Sequence, residues 1–125
     1  MRTKFLIILS VLLICASGCK LDDDFNPINC TEQFVFGINV TLIDATTSNK
    51  IITGVTLSIK DGDYEEILMT HDSIDSFWGA GERPGNYIIT VTSNDYQTYV
   101  SDPIQVLSDE CHVITEIVEI TLQPN

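Results

Sequence analysis

Apolar and polar residues alternate along short runs of the chain, and this period of two most constrains the fold. In the first run, Phe34, Phe36, Ile38, Val40 and Leu42 are all apolar. Successive side chains of a β-strand point to opposite faces, so the alternation predicts a strand. Further short runs predict strands at 55–60, 64–70, 87–92, 96–100 and 112–122, and 104–107 is expected to resume the 96–100 strand after Pro103. The stretch from His71 to Glu82 lacks the pattern, and it is predicted to be irregular around a buried Phe77–Trp78 cluster.

Turn signals separate these runs at regular intervals. Asp61-Gly62 is a tight-turn signal, since glycine adopts the positive φ that such turns require. Pro84-Gly85 suits a type II turn, and Asn94-Asp95 marks another turn. About seven short strands rich in Val, Ile, Thr and Tyr, with no competing helical pattern, predict an all-β fold. The expected architecture is an antiparallel sandwich of two sheets.

The first eighteen residues have the three-part layout of a secretion signal. Arg2 and Lys4 form a basic head, Phe5 to Cys15 is apolar, and small residues follow at 16–18. The apolar run is shorter than the roughly 20 residues that a membrane-spanning helix needs. Residues 1–18 are therefore predicted to be a signal peptide.

The residues before Cys19 resemble the lipobox of bacterial lipoproteins, in which the cysteine after the cleavage site is acylated. The resemblance implies that Cys19 carries lipid and that the membrane is a partner through this anchor. Cleavage by an ordinary signal peptidase is the alternative, since Ala16 and Gly18 also suit that enzyme. Ordinary cleavage would leave Cys19 as an odd thiol in an oxidising compartment, which is uncommon.

Residues 19–29 are predicted to be an acidic tether. Asp22, Asp23 and Asp24 cannot pack in a core, and Asn26-Pro27 breaks regular structure. One interpretation is a solvated spacer. The other rests on similarity to the surface-export signal of some gram-negative lipoproteins, which implies the outer membrane and a possible outward orientation.

Residues 30–125 are predicted to form a single domain, and the one remaining pair of cysteines is Cys30, just before its first strand, and Cys111, just before its last. A disulfide between them would connect the two ends of the domain. A metal site with His112 is the alternative, but it lacks the paired short spacings of zinc sites. The sequence therefore favours a disulfide and no metal.

Charge excludes one class of partner. The full chain has a formal charge of −12, and loss of Arg2 and Lys4 with the signal leaves four basic against eighteen acidic residues, or −14. Such a surface repels a phosphate backbone, so nucleic-acid binding is not expected.

Two segments resemble carboxypeptidase-regulatory-like domains. Residues 42–59 contain an Asp-Ala-x-Thr turn and a Gly-Val before the next strand, and residues 84–98 contain a Gly-x-Tyr strand followed by a turn and an aromatic residue. The resemblance implies a transthyretin-like sandwich, related to the immunoglobulin-like architecture, that acts as a non-catalytic accessory or adhesive module. Residues 71–82 depart from the family pattern, and any individual specificity is expected there.

The candidate binding residues are aromatic. Phe77 and Trp78, with Tyr96 and Tyr99, could form a platform for an envelope protein or a glycan, or they could pack in the core. The turn at Asp61-Gly-Asp63 offers oxygen ligands for Ca²⁺, but it lacks the spacing of an EF-hand loop, and a solvated hairpin explains it better.

No catalytic set is persuasive in the sequence. The only histidines are His71 and His112, and the cysteines are better explained as a bridge. The expected function is a non-catalytic envelope lipoprotein that binds through its β-sandwich and needs no cofactor. The alternatives are a purely structural accessory domain and a transthyretin-like hydrolase.

Overall fold

A computed structural model describes residues 27–125, which form two packed β-sheets without any helix. No helix in this range has the length and hydropathy that crossing a bilayer requires. The signal peptide, Cys19 and most of the tether lie outside the described residues. The nine strands are β1 (Phe36–Asp44), β2 (Val55–Asp61), β3 (Tyr64–Ile67), β4 (Met69–His71), β5 (Ile74–Gly81), β6 (Gly85–Ser93), β7 (Tyr99–Val100), β8 (Ile104–Val106) and β9 (Glu116–Leu122).

The two sheets confirm the predicted sandwich. The first sheet has the strand order β4-β5-β1-β9, and we call it sheet A. Sheet B has the order β3-β2-β6-β7, and β8 also pairs with β6. The core between the sheets contains side chains that are at most 2 % exposed: Ile38, Val40, Leu42, Leu57, Ile59, Ala80, Tyr87, Ile89, Val91, Val106, Ile120 and Leu122. The alternation in β1, β2 and β6 thus places one face of each strand in this core, as predicted.

One strand pair departs from the antiparallel prediction. β1 pairs with β5 in antiparallel and with β9 in parallel orientation, and the parallel register runs from Ile38 opposite Glu116 to Asp44 opposite Leu122. A parallel pair needs a crossover connection, and here the whole domain between the two strands provides it. The first and last strands of the domain therefore lie side by side and point the same way.

The predicted third strand is two strands that belong to different sheets. β3 pairs with β2 in sheet B, whereas β4 pairs with β5 in sheet A. Leu68 lies between them, is 5 % exposed, and donates its backbone N–H to the Leu57 carbonyl at 2.9 Å. The chain passes from one sheet to the other at this buried residue.

The prediction of an irregular segment from His71 to Glu82 is wrong, because β5 is an interior strand of sheet A. Its sequence does not alternate because residues 76–81 are apolar or small on both faces. Phe77 faces the core, and Trp78 lies on the opposite face. A side chain at Gly79 would meet Leu68 at 3.0 Å and Glu66 at 3.2 Å, so close packing explains the small residue there.

Candidate functional site

The outer face of sheet A carries an apolar groove of about 470 Å³. We call it the Trp78 groove. It is lined by residues of β1, β4 and β5: Phe36, Met69, Thr70, His71, Ile74 and Trp78. Met69 is 59 % exposed and Ile74 is 40 % exposed, although both are large and apolar. Contiguous exposed apolar surface of this kind is typical of interaction sites.

Strand pairing explains why these residues meet. Met69 lies opposite Trp78, Trp78 lies opposite Asn39, and Asn39 lies opposite Ile117. Residues in such cross-strand pairs point to the same face. One row of side chains therefore crosses all four strands of sheet A, and it ends at Ile117, which is 80 % exposed.

Aromatic rings extend the groove toward the start of the domain. The ring centroids of Phe36 and Trp78 are 6.0 Å apart, and those of Phe34 and Phe36 are 5.2 Å apart in an edge-to-face arrangement. Phe34 is 62 % exposed and lies over Gly81, whose lack of a side chain makes room for the ring. The apolar surface thus continues from β5 to the segment that follows Cys30.

The structure separates the four aromatic residues proposed as a platform. Phe77 is 3 % exposed and belongs to the core, so its proposed surface role is corrected to packing. Trp78 contributes to the groove, on the other face of the same strand. Tyr99 lies in sheet B and is packed against the core. The alternation within β5 explains the split, since consecutive residues of a strand face opposite ways.

Tyr96 has a local structural partner at the end of β1. Its hydroxyl donates a hydrogen bond to Asp44 Oδ2 at 2.6 Å. This bond raises the pKa of the Tyr96 hydroxyl and lowers the pKa of Asp44, whose other oxygen accepts the backbone N–H groups of Thr46 and Thr47. Tyr96 therefore fixes the turn after β1 and does not reach the Trp78 groove.

The predicted disulfide between Cys30 and Cys111 is present. Cys30 precedes β1 and Cys111 precedes β9, and their Cα atoms are 5.3 Å apart. The bridge therefore joins the two segments that lead into the parallel strands β1 and β9.

Glu82 forms a second connection in the same region. Its carboxylate accepts the backbone N–H of Val35 at 2.8 Å and that of Val113 at 3.3 Å. It also bonds to His112 Nδ1 at 2.8 Å, and His112 Nε2 lies 3.1 Å from the Thr31 hydroxyl. One carboxylate thus joins the segments that lead into β1 and β9 to the end of β5.

Thr31, His112 and Glu82 are hydrogen-bonded in series, in the way that the nucleophile, the base and the orienting acid of a catalytic triad are. Acyl transfer also requires donors placed for an oxyanion. The Val35 and Val113 N–H groups, which lie beside this cluster, already donate to Glu82. We therefore assign these hydrogen bonds a structural role. They hold the segments that lead into β1 and β9 together, next to the disulfide.

These bonds predict an acid-sensitive contribution to stability. Desolvation raises the pKa of Glu82, but the hydrogen bonds from Val35, His112 and Val113 outweigh it and hold the pKa below its ordinary value of 4.5. A lowered pKa means that the stabilisation is present above about pH 4.5 and is lost as the pH falls through the folded-state pKa. We expect Glu82→Gln to lower the urea midpoint at pH 7 and to have a diminishing effect toward pH 3.

The exposed Glu119 provides the matched control, and Glu119→Gln should leave the pH profile close to that of the wild type. A difference between wild type and Glu82→Gln that stays constant from pH 7 to pH 3 would contradict the assignment.

The Asp61-Gly-Asp63 turn is a hairpin between β2 and β3, with Gly62 at a φ of 57°. Asp61 is bound to Arg83 Nη1 at 2.9 Å, and the Arg83 guanidinium lies 3.8 Å from the centroid of the Tyr64 ring. Within residues 27–125, no group of three or more His, Cys, Asp or Glu side chains is placed to hold a metal ion.

Sequence reasoning missed most of the groove. By alternation Phe36 falls in the same row as the buried Ile38 and Val40, whereas its ring lies with Trp78 on the outer face. Met69 and Ile74 gave no signal of their own. The one available signal was the departure of residues 71–82 from the family pattern, since this segment supplies His71, Ile74 and Trp78 to the groove.

No protein-family model matches the chain, and no curated protein matches it.

Proposed function

We propose that this chain is a non-catalytic, lipid-anchored module of the bacterial cell envelope that binds a partner through the Trp78 groove. The observation that carries the binding proposal is the groove itself. It exposes Met69 and Ile74 beside Trp78 on a sheet whose other face already supplies the core. Aromatic residues and methionine are enriched at protein interfaces, whereas charged residues are depleted at their centres.

The location rests on the first nineteen residues and on the cysteine pairing. Because Cys30 and Cys111 form a bridge, Cys19 has no partner among the cysteines of the mature chain. An odd cysteine directly after a signal sequence is accounted for by acylation. Two or more acyl chains give stable attachment, since each buried methylene contributes roughly 0.8 kcal/mol. The similarity of the acidic tether to surface-export signals supports the outer membrane and an outward orientation.

The mature amino terminus tests this location. The protein isolated from gram-negative membranes should begin at Cys19, and its mass should exceed the polypeptide mass by the attached acyl chains. Cys19→Ala should abolish the added mass, whereas Cys15→Ala, inside the signal, should leave it unchanged. An unmodified Cys19 in membrane-derived protein would refute the lipid anchor.

A purely structural accessory domain is the second candidate. The resemblance to carboxypeptidase-regulatory-like domains and the double connection of the domain entrance by the disulfide and Glu82 favour it. The two proposals differ in the groove, which a scaffold would not need to leave open.

A further inference from the structure

We infer that the partner of the Trp78 groove is a cationic polypeptide segment that inserts apolar side chains. The inference rests on the proposed function, and it names the chemistry of the partner at the same site. Three properties of the described residues support it: the lining of the groove, the state of its polar atoms, and the charge around it.

The lining favours apolar side chains over sugars. A glycan site needs polar groups that can bond to many hydroxyls, but the polar side-chain atoms here, apart from His71 Nε2, are bonded or covered. Thr70 Oγ1 donates to the Ser76 carbonyl at 2.9 Å, and His71 Nδ1 bonds to the Ser73 hydroxyl at 2.9 Å. Asn39 Oδ1 and Trp78 Nε1 are closed off from solvent and have no hydrogen-bond partner. The groove therefore offers contact area and few hydrogen bonds.

The charge of the domain selects for a basic partner. Residues 27–125 contain fifteen acidic and three basic residues. Two of the basic side chains are already paired, Lys50 with Asp75 at 3.3 Å and Arg83 with Asp61 at 2.9 Å. A surface with this imbalance attracts cations and accelerates their association.

One acidic residue adjoins the groove, and another lies on the same outer face of sheet A. Asp72 follows the lining residue His71 in the turn between β4 and β5. Glu119 lies opposite Thr41 in the register of β9 and is exposed on the outer face. The indole of Trp78 adds a further preference, because a lysine or arginine stacked on its face gains a cation–π interaction.

Two other occupants fit less well for the same reason. A second copy of the chain would bring two strongly negative domains together, with Asp72 of each copy next to the contact. The tether carries Asp22, Asp23 and Asp24, so it is repelled as well. Like charges across an interface make binding less favourable, whereas a basic segment is attracted to the negative surface of the domain.

The test uses the fluorescence of Trp78, which is the single tryptophan of the protein. The probes are a peptide of eight apolar residues with two lysines at each end, the same peptide with four glutamates, and maltohexaose. The lysine peptide should change the Trp78 emission and bind at least tenfold more tightly than the glutamate peptide at low salt. Its affinity should fall as salt is added, since salt screens charge attraction.

A matched pair of variants separates binding in the groove from general attraction to an acidic protein. Ile74 and Ile88 are each 40 % exposed, but Ile74 lines the groove and Ile88 lies on sheet B. Ile74→Asp should weaken the lysine peptide at least tenfold even though it adds a negative charge. Ile88→Asp adds the same charge elsewhere and should bind at least as well as the wild type. Met69→Asp provides a second groove variant in case Ile74→Asp does not fold.

The outcomes distinguish this inference from the proposed function. Equal binding of both peptides, or a response to maltohexaose alone, would overturn the cationic partner and leave the groove as the binding face. Lysine-peptide binding that is unchanged in both groove variants would place the contact elsewhere and overturn the inference. No change in emission with any of the three probes would overturn both the inference and the proposed role of the groove.

Discussion

Replacing Cys30 and Cys111 together by serine is expected to lower the free energy of unfolding by about 4 kcal/mol, because the bridge closes a loop with a sequence separation of 81 residues. A domain of this size has a net stability of roughly 5–15 kcal/mol, so the loss is a large share of the total. Urea unfolding of the mature domain at pH 7, with and without the bridge, measures the difference.

The control for this experiment is the reduced wild-type protein. A reducing agent should destabilise the wild type by a similar amount and should leave the serine variant unaffected. If the reduced wild type keeps its full stability while the serine variant loses it, then the substitutions themselves are harmful and the bridge is not the cause. An unchanged urea midpoint in both the reduced wild type and the serine variant would show that the hydrogen bonds of Glu82 are enough to hold together the segments before β1 and β9.

Phe77→Ala is expected to destabilise the fold by about 4 kcal/mol, since it leaves a cavity where an aromatic ring fills the core between the sheets. Phe77 is 3 % exposed and lies on an interior strand. The side chains around it are fixed by the packing of both sheets, so they can fill little of the cavity that the lost ring leaves. The change in the urea midpoint, at a constant slope of the transition, gives the value.

Ile74→Ser on the same strand supplies the comparison. Its side chain is on the outer face and 40 % exposed, so the loss should stay below about 1 kcal/mol. Comparable losses for the two variants would contradict the assignment of Phe77 to the core and of Ile74 to the groove.

The sequence predicts the parts of this fold that depend on local patterns. Alternation marks β1, β2 and β6, because one face of each is buried and the other is largely not. Counting cysteines predicts the bridge, since only one pair remains once Cys15 and Cys19 are set aside.

The missed features depend on contacts between distant parts of the chain. β5 does not alternate, because Trp78 covers its outer face while Phe77 fills its inner face. The parallel pairing of β1 with β9 leaves no trace in either strand alone, since it is decided by how the whole domain closes. The groove is likewise invisible in sequence: Phe36 and Trp78 are far apart in the chain and meet only because β1 pairs with β5.

The position of the disulfide has a mechanical consequence for an anchored protein. With the proposed lipid at Cys19 and the proposed partner on β5, tension between the two would enter the described domain at Cys30, before β1 begins. There the disulfide distributes the force between two neighbouring parallel strands, β1 and β9. Both strands would have to move along their axes, and their hydrogen bonds would have to break together, before sheet A came apart. A force from the envelope would therefore act in shear on the hydrogen bonds of β1 and β9 together, and would not separate β1 from the sheet by itself.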